Sequence, residues 1–145
     1  MRYLLVDRIV EAEAGRSIKG VKNVAMSEDF LEFHFPENPI LPGVMLIEAM
    51  AQLAGWLEAS GSDFTRWALV SEVRQANFYG FAYPGDRVEL SVEVRGGDGR
   101  RREYGATAFV DGRRKARASF AADVVELADL EDPALMRRRY AVLRR

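Results

Sequence analysis

FHFPENPILPGVMLIEAMAQLAGWL, residues 33 to 57, decides how this chain is read. It carries the only histidine of the protein, His34, then prolines at 36, 39 and 42, then an apolar run interrupted by Glu48 and Gln52. Proline removes a backbone donor and biases its predecessor toward extended geometry, so no regular element is expected before Gly43. From Gly43 to about Ser60 the residues all suit a helix, and Gly61 is a natural stop. Apolar side chains occupy most of that helix's circumference, which predicts burial. Glu48 and Gln52, four residues apart, then share one face one turn from each other.

Outward from this helix the sequence turns to strands. Ser17–Ala25 reads as an early strand and Phe30–Phe35 as a second short extended piece. After the helix, Trp67–Val73 and Gln75–Phe81 look extended, and Pro84-Gly85-Asp86 makes a turn. Arg87–Arg95 alternates strictly, with Val88, Leu90, Val92 and Val94 on one face and Glu89, Ser91, Glu93 and Arg95 on the other. Gly96–Gly99 closes a hairpin into Arg102–Val110, and Asp111-Gly112 closes another into Arg114–Val125. An antiparallel meander with one apolar face and a single apolar helix bury each other when the strands curl around the helix. The expected class is therefore α+β: one long buried helix wrapped by a curved antiparallel sheet. The tail DLEDPALMRRRYAVLRR begins with an Asp-Pro helix start and predicts a short terminal helix.

The 145 residues fit one continuous core. Apolar residues make up 48% of the chain and the net charge is −1, a balance that gives no reason to expect a nucleic-acid partner. With no cysteine there is no disulfide, thiolate nucleophile or cysteine metal site, and one histidine excludes a histidine-rich metal centre. The apolar run at the start meets Asp7 and Arg8 too early for a secretory leader, and Val44–Leu57 is too short and polar to span a bilayer. A cytoplasmic location with no membrane partner is the expectation.

Three features of residues 34 to 52 point to chemistry. A carboxyl group taken out of water favours its protonated form, so Glu48, read as buried, is a candidate proton donor that Gln52 can orient without adding charge. His34, with a reference pKa of about 6.5, can be neutral at cellular pH and accept a proton. Gly43 and Val44 open the helix, where the first N–H groups lack intrahelical partners and favour negative charge. Glycine there also lets a ligand approach the backbone. Base, acid and oxyanion donors are what is needed to remove a proton beside a thioester carbonyl and expel a β-hydroxyl. No metal and no organic cofactor is called for.

HFPENPILPGVMLIEAMAQ, His34 to Gln52, resembles the signature of the β-hydroxyacyl-acyl carrier protein dehydratases of fatty acid synthesis, H-F-P-x-x-P-x-x-P-G-V followed by an E-A-M-A-Q helix. Every defining position is filled. Weaker similarity runs through LLVDRI, VKNVA, YPGDRVEL and the FVDG turn. The resemblance implies a hot-dog fold over residues 1–125, with residues 126–145 as a C-terminal extension. It implies a homodimer, or a higher oligomer, with the histidine of one chain facing the glutamate of the other. It also implies His34 as base, Glu48 as acid, Gly43 and Val44 at the thioester carbonyl, and Gln52 orienting Glu48. The substrate would ride on the phosphopantetheine arm of acyl carrier protein, with no cofactor. The glutamate, where relatives that also isomerise the double bond carry aspartate, resembles the dehydratase-only branch.

The chain departs from that pattern in three places, one of them the absence of the family's usual arginine- and proline-containing N-terminal lead-in. Phe33 stands where the family usually has glycine, and with Phe35 and Pro42 it is expected to shape the pocket. Tyr79 and Gly80 replace a basic pair that could meet an acidic carrier, and Arg137, Arg138, Arg139, Arg144 and Arg145 are an alternative source of positive surface. A hot-dog thioesterase and a non-catalytic acyl- or carrier-binding protein are the competing readings.

Overall fold

The computed structural model describes residues 3–145. Among them, six strands form one antiparallel sheet: β1 (Arg8–Glu13), β2 (Ser17–Asn23), β3 (Arg66–Phe78), β4 (Arg87–Gly97), β5 (Arg101–Val110) and β6 (Arg113–Glu126). Their spatial order is β1-β2-β4-β5-β6-β3. The long helix α1 (Gly43–Gly61) lies in the hollow of the sheet, and α2 (Pro133–Leu143) ends the chain.

The alternation in β4 appears as predicted: Val88, Leu90 and Val92 are buried against α1, while Glu89 and Glu93 are exposed. From α1, Leu46, Ala49, Met50, Leu53, Ala54 and Leu57 fill the hollow. Gly55 is required there, because a Cβ would lie 2.2 Å from the Trp67 ring. Trp67 meets Trp56 edge to face, with centroids 5.2 Å apart, an arrangement that suits the ring quadrupoles. Both predicted hairpins form. In the β4–β5 turn, Asp98 Oδ1 accepts from the N–H groups of Arg100 and Arg101, and those bonds hold the carboxyl below the usual range.

Three expectations are corrected. The first strand, β1, went unread because RIVEAE has no clean period-2 pattern; the structure pairs it with β2 across a register shift between Ile9 and Glu11. The extended piece expected at Phe30–Phe35 is instead a 3-10 turn at Asp29–Glu32. Its Leu31 N–H bonds back to Glu28 O, and Glu28 itself is paired with the buried Lys22 ammonium, so a local anchor wins over strand pairing. Lastly, the two pieces expected after the helix are one strand, β3, carried past irregularities at Val70/Glu72 and Val73/Gln75.

The tail follows its reading. Asp132 caps α2 by accepting from Ala134 N at 3.0 Å, with Pro133 at the first helical position. Tyr140 then packs on Phe64 and Trp56, which seats α2 on the far end of α1.

Candidate active site

Prolines 36, 39 and 42 keep residues 34–42 out of regular structure, and backbone bonds within the loop fix its shape. Ile40 N donates to His34 O, and Phe35 and Asn38 exchange N–H to carbonyl bonds. Leu41 N reaches across to Ala82 O at 2.8 Å, tying the loop to the segment after β3. His34 is half-buried, its ring stacked on Phe35 with centroids 4.1 Å apart. Its Nδ1 lies 3.0 Å from Ile40 O. A carbonyl oxygen only accepts, so Nδ1 carries the hydrogen, and the neutral ring keeps its lone pair at Nε2.

Glu48 and Gln52 sit one turn apart on α1 as predicted. Gln52 is held on three sides: its amide nitrogen donates to Tyr3 O at 2.8 Å and to Glu48 Oε1 at 2.9 Å, and its oxygen accepts from Leu5 N at 2.9 Å. An amide whose oxygen is fixed by a backbone N–H must present its NH₂ to the carboxylate, so the orientation of Glu48 is set by the N-terminal segment. The anchoring by Tyr3 and Leu5 left no sequence signal, because any residue supplies those backbone atoms.

Two site expectations change. Glu48 is exposed in the single chain, not buried, because its face of α1 turns away from the sheet. The glutamate that α1 does bury is Glu58, which accepts from the Tyr104 hydroxyl at 2.7 Å and lies 2.9 Å from Arg102 Nε. Burial, and then that bond, pushes the Tyr104 hydroxyl above its ordinary range. The second change concerns Gly43. A Cβ there would come 2.7 Å from the Phe78 ring, so the missing side chain makes room for Phe78 as well as leaving the backbone N–H open.

The helix start is otherwise open. Pro42, at the cap position, makes no side-chain cap bond, and among the described residues nothing accepts from the N–H of Gly43 or Val44. Val44 is 70% exposed and Phe33 74% exposed. Within one chain no hydrogen bond among the described residues joins His34 to Glu48 or Gln52.

Residues 1–119 match the family model described as a FabA-like domain. The chain belongs to the FabA-like family. Over 131 residues it is 41% identical to the 3-hydroxyacyl-acyl carrier protein dehydratase FabZ of a Nitratiruptor species, covering 86% of this chain and 88% of that one. It is 35% identical to the dehydratase of the same name from Oleidesulfovibrio alaskensis, covering 88% and 85%. Among solved structures, smu.793 from Streptococcus mutans bound to acetyl CoA superposes with a TM-score of 0.67 at 14% identity, over 87% of this chain and 94% of that one. At such identity the likeness concerns the fold, and this FabA-like chain has the hot-dog arrangement of helix and sheet.

Proposed function

We propose that this FabA-like chain dehydrates a (3R)-3-hydroxyacyl thioester, carried on acyl carrier protein, to the trans-2-enoyl thioester in fatty acid synthesis. The observation that carries the reading is the locked Glu48–Gln52 pair on the same helix whose first N–H groups are open. His34 Nε2 takes the C2 proton. The N–H groups of Gly43 and Val44 hold the developing enolate oxygen, a contribution of several kcal/mol in comparable sites. The C2–H electrons form the C2–C3 double bond as the C3–O bond breaks, and Glu48 protonates the leaving hydroxyl to water. Gln52 keeps Glu48 aimed. No cofactor enters this scheme, and the cytoplasm suits a reaction on a soluble carrier protein.

A second copy of the chain completes the site in this reading. Glu48 stands exposed and apart from its own His34 contacts, so the low-dielectric surroundings an acid needs must come from elsewhere. β3 is thirteen residues long and lies at the sheet edge with Leu69, Val73 and Phe78 exposed; a long unpaired edge is a template for pairing. Pairing there would bring one chain's His34 toward the other's Glu48, with Phe33, Phe35 and Pro42 shaping the pocket between them.

The test is hydration of a trans-2-enoyl thioester, followed by loss of the conjugated enoyl absorbance, for the wild type beside His34→Ala and Glu48→Gln. Turnover in the wild type, lost in both variants and without free thiol, is the expected result. Release of thiol would make the chain a thioesterase, and acyl-thioester binding without turnover would make it a binding protein.

A further inference from the structure

The positive charge missing at Tyr79 and Gly80 is supplied from the neighbouring strand. β6 opens with RRKAR, Arg113–Arg117. Tyr79 N donates to Lys115 O at 2.8 Å, which sets the two segments side by side. The Arg114 guanidinium lies over the Tyr79 ring, 4.6 Å from its centroid, and a Cβ on Gly80 would sit 3.4 Å from Lys115 Nζ. None of Arg113, Arg114, Lys115 and Arg117 takes part in an ion pair among the described residues. Four arginines elsewhere on the sheet are matched, Arg74 with Glu103, Arg87 with Glu89, Arg95 with Glu93 and Arg101 with Glu72; Arg8 and Arg66 stand singly on β1 and β3, whereas the β6 cations are clustered. In a chain of net charge −1, this cluster is a local separation of charge.

Its position joins it to the site. Tyr79 follows Phe78, whose ring covers Gly43 at the start of α1, and Ala82 O holds Leu41 of the His34 loop. Tyr79, Phe81 and Tyr83 are each about half exposed, at 50%, 56% and 44%. Exposed aromatics among unpaired cations are the composition of a protein-binding surface. By contrast, Arg137 of the tail is engaged by Asp63 at 2.8 Å and stacks over Phe64, and Arg139 faces Glu131; Arg138, Arg144 and Arg145 have no ion pair among the described residues but lie on or just beyond α2, which packs on Phe64 and Trp56 and not on the His34 loop.

We propose that Arg113, Arg114 and Lys115, flanking Tyr79, form the docking surface for the acidic carrier protein that delivers the acyl chain, and that the C-terminal arginines do not. The proposal rests on the dehydratase reading for the identity of the carrier. Opposite charge beside a site mouth speeds encounter and orients the partner before the chain is inserted.

The experiment compares wild type, the reversal Arg113→Glu/Arg114→Glu/Lys115→Glu, the milder Arg113→Ser/Lys115→Ser, and the tail control Arg138→Glu/Arg144→Glu/Arg145→Glu. Each is assayed with the same enoyl group on acyl carrier protein, on coenzyme A and on N-acetylcysteamine, and titrated by anisotropy with labelled carrier that bears no acyl group. The expected result is a tenfold or greater fall in kcat/KM on the carrier for the reversal, a smaller fall for the milder variant, weakened carrier binding in both, and little change on N-acetylcysteamine. The tail control should match wild type. Unchanged carrier kinetics would overturn the proposal, as would equal losses on N-acetylcysteamine, which mean distortion of the fold, or on coenzyme A, which mean recognition of phosphate alone. The anisotropy arm needs no turnover, so carrier binding lost on reversal would stand even if the wild type dehydrated nothing.

Discussion

Helix α1 carries two glutamates ten residues apart, and the fold treats them in opposite ways. Glu58 is buried at 6% exposure, faces Arg102 and accepts from Tyr104. Glu48 is exposed and receives one side-chain bond, from Gln52. A buried carboxylate that faces a cation and accepts from a hydroxyl contributes to holding β5 on the helix. One held by a single amide and otherwise open is oriented but free to exchange a proton. On the proposed dehydratase reading, the difference separates a structural acid, Glu58, from the reactive one, Glu48, on the same helix.

The largest expected effect breaks the pair at its reactive end. Glu48→Gln keeps shape and loses the exchangeable proton, so enoyl hydration should fall by roughly 10²–10⁴-fold while the melting temperature stays within a degree or two of wild type. A large drop in melting temperature would place Glu48 with Glu58 as a structural residue. At the other end, Glu58→Ala strands Arg102 and should cost about 3 kcal/mol in urea unfolding, less than a fully buried pair because Arg102 keeps some contact with water. The folded fraction should retain its turnover per site.

Gln52→Glu keeps the acceptor for Leu5 N but removes the donor shared by Tyr3 O and Glu48. A loss of kcat of about tenfold with little change in KM is expected, the pattern of a transition-state interaction. The smallest effect is alkaline. Burial and the Glu58 bond raise the pKa of Tyr104 above its ordinary value of 10.0, so above that pH the unfolded chain releases a proton the folded chain keeps. The contribution is full below about pH 10 and is lost as pH rises beyond it. Denaturation midpoints from pH 8 to 11 should therefore fall less steeply in Tyr104→Phe than in wild type.

The same contrast shows what the sequence discloses. The helix, the β4 alternation and both hairpin turns were legible because each is written in local spacing: apolar periodicity, strict alternation and glycine at turns. The Glu48–Gln52 pairing was legible for the same reason, since four residues on a helix fix it. Which glutamate would be buried was not, because that depends on which face of α1 meets β5, and Tyr104 and Arg102 lie more than forty residues away. Phe78 over Gly43 was hidden likewise: a glycine at a helix start reads equally as room for a ligand or for a ring from a distant strand. β1 and the 3-10 turn were missed where pairing across a register irregularity, or a buried Lys22–Glu28 contact, outweighed local pattern.

We propose that Glu48 is exposed in its own chain because a second copy brings His34 to it. The most direct measurement mixes His34→Ala with Glu48→Gln, each inactive alone, after unfolding and joint refolding. With sites shared between chains, half the dimers are mixed and each holds one intact site, so about a quarter of wild-type enoyl hydration should return. No recovery, in a preparation shown by mass to contain mixed dimers, would contradict the account and return both residues to a single chain.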